Sequence, residues 1–455
     1  MNSSPERAAH RVLFVATVCC SLAACHVTTE PPSNGMGVTS REPVNARPVS
    51  GPSVNSATPS FGREGEVSKE VTIVGSGFAP DAQAAWERNG VADPRIQVST
   101  SYVSSTELVA TITIASDADI GLYDISVTNP TDRKKGIGYA LFEVTTATQL
   151  TGTEFAYSVN SSGEIAGRVG VPGAFYYSPL SGLLALGSPG RAYAISEDGL
   201  TVGGGITNNA PNSAAYVWTS NAGVWQQTIL PKNSASCIAY VRALGSDESG
   251  AAVLAGGVEN DGCYKQNNLN RKPRIWIKSG ASWIKYILPG VAKSDDLLDA
   301  LTGTGLAVGR AGDRAAVWTP DGSGGWTLSQ VGSSGSALHG IRADGTLAVG
   351  ETGTVAQYWS FTNGTWTGPF NLPGGCTSAI GVDDAGNILA NGCTNGNRRT
   401  PAVIAPPYTS ASVRLLSGFG SSNSITAESI SRSGEWIVGE GVVQGIQVGV
   451  YWRNF

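Results

Sequence analysis

Histidine is almost missing from this chain. His10, His26 and His339 are the only three in 455 residues, and the first two lie in an N-terminal segment with no folding pattern. A metal site or a catalytic triad built on several histidines is therefore excluded. A triad based on His339 alone lacks the G-x-S-x-G turn that would present its serine. We expect no catalytic residues, no metal and no cofactor.

Charged residues are also scarce. They form 14% of the chain, against about 25% in average globular proteins, and no run of basic residues is long enough to suggest a nucleic-acid partner. The formal net charge is only −5. These features indicate that nucleic acid is not a partner. Glycine is abundant at 59 residues, which favours many short strands joined by tight turns over helices.

The N-terminal segment has the pattern of an export signal. Arg7 and Arg11 precede an apolar run, Val12–Leu22, which is too short to span a bilayer. The small residues of "SLAAC" then lead to Cys25, and this pattern resembles the lipobox of bacterial lipoproteins. The resemblance implies a signal peptide over residues 1–24 and acyl chains on Cys25, with His26 in keeping with sorting to the outer membrane. An ordinary signal peptide is the alternative.

Two regions follow the signal. Residues 25–52 are rich in Pro, Ser, Thr, Asn and Gly without an apolar period, which predicts a flexible tether. Residues 53–146 alternate between apolar and polar side chains in short runs, which predicts a small β-sandwich. The runs are Glu70–Phe78, Ile96–Val103, Glu107–Ala115, Leu122–Pro130 and Ala140–Thr145. "VTIVGSGF", "GLYD" and "VTNP" in this region resemble the IPT/TIG family of immunoglobulin-like domains, which implies a spacer or binding module.

A repeated unit fills residues 147–455. The stretch "DGTLAVGETG" at Asp344–Gly353 is one copy, so it is a structural repeat and not a phosphate-binding loop. Each unit has a short strand, a turn with glycine, an "LAVG"-like strand, a strand that usually ends in an aromatic residue, and often a fourth strand ending in Leu-Pro. The turn glycines are Gly163, Gly199, Gly250, Gly305, Gly345, Gly386 and Gly434.

Four strands in each of seven units predict a seven-bladed β-propeller. The units are similar to bacterial extracellular HAF-type repeats, although the histidine of that name is absent. Six or eight blades, or a β-solenoid, remain open. The last unit ends after three strands, so we expect Ala147–Thr153 to supply its fourth strand and close the ring. The predicted fold is all-β, an immunoglobulin-like sandwich followed by this propeller.

Four cysteines fall in the repeats. Cys376 and Cys393 flank the turn of the sixth unit, and Cys237 and Cys263 flank that of the third. Facing positions in a hairpin favour the pairs Cys237–Cys263 and Cys376–Cys393, since bonds across the ring would be too long. An exported protein favours their oxidation.

One position of the first strand varies between units and is mostly polar. The aligned residues are Tyr157, Tyr193, Arg242, Asp299, His339, Ile380 and Glu428. A position that only packs should stay apolar in all copies, so we predict that the polar members form a ligand rim at one mouth of the ring. Arg168, Arg310, Glu351 and Glu440 fall near the same rim on the adjoining strand. A water-filled channel of mutually paired ions, without a ligand, is the alternative.

Two long segments are predicted to add ligand contacts from loops at this rim. The third unit supplies Lys265, Arg271, Lys272 and Arg274, and the sixth supplies Arg398 and Arg399. The resulting hypothesis is a lipid-anchored outer-membrane binding or adhesion protein, not an enzyme, that recognises an envelope or extracellular protein or glycan. A propeller lyase or hydrolase acting on glycans, and an envelope assembly factor, are the two alternatives.

Overall fold

The computed structural model describes residues 51–170, 173–187, 190–205, 214–233, 238–260, 271–291, 294–395, 398–419 and 424–453. Cys25, Cys237, Cys263 and Lys265 lie outside these ranges. The described part is almost entirely β-structure, with one short 3₁₀ turn at Ser410–Ser412. Within it, no helix has the length and apolar character needed to cross a membrane.

Residues 53–145 form two sheets around a shared core. In them, Trp86 and Phe142 pack edge to face with ring centroids 5.4 Å apart. The two sheets have the orders β1-β3-β7-β6 and β2-β9-β8-β4-β5. The strands are β1 (Ser53–Thr58), β2 (Phe61–Arg63), β3 (Lys69–Ser76), β4 (Gln83–Arg88), β5 (Val91–Ala92), β6 (Ile96–Ser104), β7 (Glu107–Ile114), β8 (Gly121–Asn129) and β9 (Lys134–Thr145).

All five strands predicted in this region are confirmed, as β3, β6, β7, β8 and β9. Sequence reasoning missed β1, β2, β4 and β5. β2 and β5 have three and two residues, which is too short for an alternating pattern to be recognised.

The described residues from Ala147 onward form antiparallel four-stranded sheets, which we call ring sheets 1 to 7. Sheets 1 to 3 contain β11 (Phe155–Val159), β12 (Ile165–Val169), β13 (Gly173–Ser178), β14 (Gly182–Gly187); β15 (Arg191–Ile195), β16 (Thr201–Gly205), β17 (Ala215–Asn221), β18 (Val224–Ile229); β19 (Ala239–Ser246), β20 (Ala252–Asn260), β21 (Arg271–Ser279), β22 (Ser282–Ile287). Sheets 4 to 6 contain β23 (Leu297–Leu301), β24 (Ala307–Ala311), β25 (Arg314–Pro320), β26 (Trp326–Ser334); β27 (Ser336–Ile341), β28 (Leu347–Thr352), β29 (Val355–Thr362), β30 (Thr365–Asn371); β31 (Ser378–Val382), β32 (Ile388–Asn395), β33 (Arg398–Ile404), β34 (Val413–Leu415). Sheet 7 contains β35 (Ile425–Ile430), β36 (Trp436–Val443), β37 (Ile446–Arg453) and, from before sheet 1, β10 (Ala147–Leu150).

The sheets follow one another around a closed ring of the propeller type. The first strand of each sheet contacts the first strand of the next sheet, and β35 of sheet 7 contacts β11 of sheet 1. β10 pairs antiparallel with β37, with Ala147 opposite Trp452 and Leu150 opposite Gly449. The prediction that a strand from before the first unit completes the last one is confirmed.

Glycine at the turn after each first strand is required by the backbone. All seven predicted turn glycines have φ between 70° and 90°, a region that residues with a Cβ rarely adopt. A second glycine, in the "LAVG" strand, meets a close approach of the first strand. In six ring sheets a Cβ there would lie 1.9–2.1 Å from a carbonyl oxygen of that strand, as at Gly350 beside Ala337. The repeated motif is therefore explained by strand packing.

Tryptophan on the third strands joins neighbouring sheets. Trp276 and Trp318 are fully buried. Their indole N–H groups donate to the carbonyl oxygens of Pro231 and Pro289, which follow the fourth strand of the preceding sheet, over 2.8 and 2.7 Å. The aromatic third strand and the Leu-Pro ending, both visible in the sequence, are thus two halves of one contact between sheets.

The two-sheet region packs directly on the ring. β9 ends at Thr145 and β10 begins at Ala147. Ser417 binds both the hydroxyl of Thr145, at 2.9 Å, and the backbone N–H of Thr146, at 3.1 Å. The Glu143 carboxylate accepts a hydrogen bond from the N–H of Gly418 at 2.9 Å. Residues 50 to 455 accordingly form one compact unit.

The predicted bond between Cys376 and Cys393 is confirmed, with an S–S distance of 2.06 Å. It ties the segment before β31 to β32. A disulfide that closes a loop of this length contributes about 3 kcal/mol to the stability of the fold. The predicted Cys237–Cys263 bond lies outside the described residues.

Candidate ligand cavity at the centre of the ring

A β-bulge interrupts the first strand of every ring sheet. In sheet 1, Ala156 pairs with Gly167 and Ser158 with Ala166, so that Tyr157 is the extra residue. The other six sheets have the same irregularity at the equivalent point. The extra residues are Tyr157, Tyr193, Arg242, Asp299, His339, Ile380 and Glu428. They are the position that varies between units, and a bulge re-aims the side chain that it carries.

The structure brings all seven bulge residues to one cavity. It has a volume of about 340 Å³ and is lined by them together with Glu351 and Ser378. Pockets for small molecules usually hold about 300–1,000 Å³, so this cavity is at the lower end of that range. We call it the central cavity.

Four charged side chains form a chain of alternating sign along one wall. The Arg242 guanidinium lies 2.8 Å from one Asp299 oxygen, and His339 Nδ1 lies 3.3 Å from the other. His339 Nε2 lies 3.6 Å from a Glu351 oxygen. Burial alone would lower the pKa of His339, but Asp299 and Glu351 outweigh it and raise that pKa to about 9. The imidazole is thus charged at neutral pH, and the wall holds two positive and two negative groups.

The carboxylate at the centre of this chain stays ionised. Burial alone would raise the pKa of Asp299, but Arg242 and His339 outweigh it and lower that pKa to about 2. A hydrogen bond from His339 likewise lowers the pKa of Glu351. These groups hold one another in place, which makes the wall a fixed array of hydrogen-bond donors and acceptors.

Two tyrosines form a second wall. The rings of Tyr157 and Tyr193 are 5.1 Å apart between centroids, and the Arg242 guanidinium lies 6.0 Å from the Tyr193 centroid. Burial raises the pKa of Tyr157 to about 12. The hydroxyl of Tyr157 is therefore uncharged around neutral pH.

Glu428 differs from the other acids of the cavity. Among the described residues it makes no hydrogen bond or ion pair. Burial, and then the nearby charge of Glu440, raise the pKa of Glu428 to about 7. Burial also raises the pKa of Glu440. The carboxyl of Glu428 is therefore partly protonated at neutral pH.

A layer of aliphatic side chains lies two residues further along the same seven strands, and we call it the aliphatic collar. It lines a separate cavity of about 510 Å³ together with turn residues such as Thr302 and Thr304. The two cavities share no lining residue. The collar consists of Val159, Ile195, Leu244, Leu301, Ile341, Val382 and Ile430.

Three predicted rim residues do not line the central cavity. Arg168 forms an ion pair with Glu154 and lies 4.6 Å from the centroid of the Phe155 ring. Arg310 lies 3.8 Å from Asp295. Glu440 acts on the cavity only through its charge near Glu428. Of the four residues predicted on the adjoining strand, only Glu351 lines the cavity.

The prediction of loop contacts from the third unit is wrong for three residues. Arg271, Lys272 and Arg274 lie inside β21 and not in a loop. Lys272 is paired with Asp296 at 2.9 Å, and Arg271 with Asp295. Each of the three cations is paired with a carboxylate of the protein itself. The sequence does not reveal these partners, because they lie up to 24 residues away.

Arg274 and its partner are the most deeply buried ion pair of this group. The Arg274 Nε atom lies 3.0 Å from Glu259, both side chains are 0% exposed, and Lys285 contacts the same carboxylate oxygen at 3.0 Å. Arg274 therefore cannot contact a ligand. Its role is to neutralise Glu259 inside sheet 3.

Of the two contacts predicted from the sixth unit, Arg399 does not line the central cavity, and the side chain of Arg398 lies outside the described part. Arg399 donates a hydrogen bond to the carbonyl oxygen of Gly392 at 2.8 Å. It lines another cavity, of about 390 Å³, with Arg88 of the two-sheet region. Arg398 begins β33. Lys265 lies outside the described residues.

Sequence reasoning missed two neighbours of the site. Ser378 lines the cavity and helps to lower the pKa of Glu351. Arg191 interacts with Tyr157 and Tyr193. Each lies two residues before the bulge residue of its own strand, and a prediction of the bulge itself would have pointed to them. Among the described residues, no group of three or more His, Cys, Asp and Glu is placed to hold a metal ion.

No protein-family model matches the sequence, and comparison with curated proteins likewise gives no match. Several solved structures are similar. Virginiamycin B lyase from Staphylococcus aureus, in selenomethionine form, has 15% identity and a TM-score of 0.44 over 67% of this chain and 98% of its own. TolB from Acinetobacter baumannii has 9% identity and a TM-score of 0.30 over 79% of each chain.

A post-proline cleaving enzyme from Rickettsia typhi has 11% identity and a TM-score of 0.38 over 80% of this chain and 57% of its own. These neighbours are proteins of the β-propeller type, and they include both enzymes and a protein that is not one. Because these TM-scores are below 0.5, the function is inferred from the residues of the central cavity.

Proposed function

We propose that this protein is an extracytoplasmic binding protein that holds a polar ligand, part of a protein or a glycan, in the central cavity. In this proposal residues 147–455 form a seven-bladed β-propeller and residues 53–146 an immunoglobulin-like spacer. The observation that carries the proposal is the set of seven bulges. A bulge is needed in every sheet to aim these side chains at the axis, yet the side chains themselves differ from sheet to sheet. Shared backbone geometry with varied side chains supports recognition of a ligand.

Replacing Arg242 and His339 together with alanine is expected to reduce ligand capture more than about tenfold. The two side chains supply the charged donors of one wall. The measurement is capture of proteins and carbohydrates from envelope extracts by the immobilised full-length protein, with melting followed in parallel. Arg314→Ala is the matched control, because the Arg314 side chain is exposed and does not line the central cavity.

Two outcomes would contradict the proposal. If the double variant captures as much as the wild type, the cavity is a structural ion network and residues 53–146 become the better candidate for contact. If the bound material consists only of envelope proteins held independently of the cavity, an assembly factor is the better assignment.

One observation favours an enzyme as the second candidate. Glu428, with a pKa of about 7, and His339, with a pKa of about 9, share one cavity, and a carboxyl that is protonated near neutrality can act as a general acid. Turnover of a captured glycan that disappears in Glu428→Gln would replace the binding assignment with a lyase or hydrolase.

We further propose that acyl chains on Cys25 anchor the protein in the outer membrane. The small residues before Cys25 support this proposal, and residues 25–52 offer no apolar run as a second anchor. Cys25→Ser is expected to move the protein from the membrane fraction to the soluble fraction, measured by fractionation and immunoblotting. Retention of the variant in the membrane would contradict the anchor.

A further inference from the structure

The aliphatic collar separates the central cavity from the cavity on its other side. Four of its seven members, Val159, Ile195, Leu301 and Ile430, are each 6–8% exposed, and the other three are half-buried. The two cavities share no lining residue. Together these observations indicate that the collar forms the floor of the central cavity. A ligand in this cavity therefore enters from the opposite side.

The lining of the cavity is suited to an uncharged ligand. Arg242 and His339 are already neutralised by Asp299 and Glu351. An anion would break these pairs and would also face Glu428 and Glu440. A cation would compete with Arg242 and His339 for the same two carboxylates. A neutral ligand can bind the free lone pairs and N–H groups of the wall without separating any pair.

The second wall adds aromatic surface beside these polar groups. The rings of Tyr157 and Tyr193 are inclined at 41° to each other, so a planar ligand face can lie against only one of them. A ligand with an apolar face and hydroxyl groups around its edge would place that face against Tyr193, which lies beside Arg242, and its hydroxyls toward the charged wall. A sugar ring has this combination of surfaces.

We propose that the central cavity binds the terminal sugar of a neutral glycan, with the rest of the glycan leaving on the side away from the aliphatic collar. The inference rests on the proposed binding function and narrows it to one ligand class and one mode of entry. A closed cavity of about 340 Å³ has room for the end of a glycan but offers no path for a chain to pass through.

The test uses the purified full-length protein and an array of linear glycans that includes neutral, sulfated and sialylated members. Each glycan is immobilised once through its reducing end and once through the opposite end. Binding of a glycan in only one of the two orientations is the expected result, because one end must be free to enter. Equal binding in both orientations, or preferential binding of sulfated or sialylated glycans on the same array, would overturn the inference.

Substitutions of Tyr193 test the position of the sugar. Tyr193→Phe keeps the aromatic face and is expected to bind within about threefold of the wild type. Tyr193→Leu removes that face and is expected to lose roughly tenfold in affinity. Equal affinities of the two variants would overturn the stacking arrangement, provided that both melt like the wild type.

Failure of this inference can be told apart from failure of the proposed function. If no array glycan binds while capture of envelope protein still depends on Arg242 and His339, the glycan assignment is wrong and the binding function stands. If neither glycan nor envelope material is captured, both are wrong.

Discussion

Replacing Thr148 and Gln149 with proline is expected to destabilise the ring by about 1–3 kcal/mol. These two residues lie in the middle of β10, opposite Tyr451 and Val450. Adjacent residues of a strand direct their N–H groups to opposite sides, so one of the two lost N–H groups faces β37 and its acceptor there loses its partner. An unpaired edge strand also promotes association between molecules. Chemical denaturation followed by tryptophan fluorescence measures the loss, and light scattering measures the aggregation.

The control for this experiment keeps the hydrogen bonds. Thr148→Ser with Gln149→Asn retains every backbone N–H of β10 and should change stability by less than about 1 kcal/mol. Equal stability of the proline variant and this control would show that β10 is dispensable and that the contacts of β11 with β35, β36 and β37 hold the ring closed.

Arg274→Ala is expected to cost about 3–5 kcal/mol. The substitution leaves Glu259 buried in sheet 3 with Lys285 as its remaining ion-pair partner at 3.0 Å. Burying a charge without full compensation is far more costly than losing an exposed ion pair, which contributes about 0–1 kcal/mol. The measurement is the free energy of unfolding in denaturant.

Two further variants make this result specific. Arg314→Ala removes an arginine whose side chain is 49% exposed, and it should stay within about 0.5 kcal/mol of the wild type. Arg274→Met combined with Glu259→Gln removes both charges and should cost less than the sum of the single substitutions. A cost for Arg274→Ala no larger than that of Arg314→Ala would refute the structural role of this pair.

The repeat pattern predicted the sheets well because each one depends on short-range signals. Turn glycines recur in every unit, as at Gly345 with φ of 74°. Tryptophans on the third strand recur in most units, and Trp318, for example, donates a hydrogen bond to Pro289. A structural requirement that is the same in each sheet selects the same residue in each unit. β2 and β5, with only three and two residues, are too short to show an alternating pattern and were missed.

The candidate site was predicted in part, and for a physical reason. The alignment of units identified Arg242, Asp299 and His339 because their position is the one that packing leaves free to vary. It could not identify the bulge, since a bulge is a property of the pairing between two strands. It also placed Arg271, Lys272 and Arg274 at the surface, because a cluster of cations in the sequence does not reveal the carboxylates of Glu259, Asp295 and Asp296 that fold against it.

The pairing of β10 with β37 also makes completion of the ring depend on the order of synthesis. β10 precedes the first ring sheet in the chain, whereas β37 is the last strand of the seventh. Sheets 1 to 6 can form from neighbouring segments as these appear, but sheet 7 must wait for β37. Until then β10 and β36 each keep an unpaired edge, which favours aggregation or proteolysis. The closing strand thus couples completion of the ring to the synthesis of its last strand.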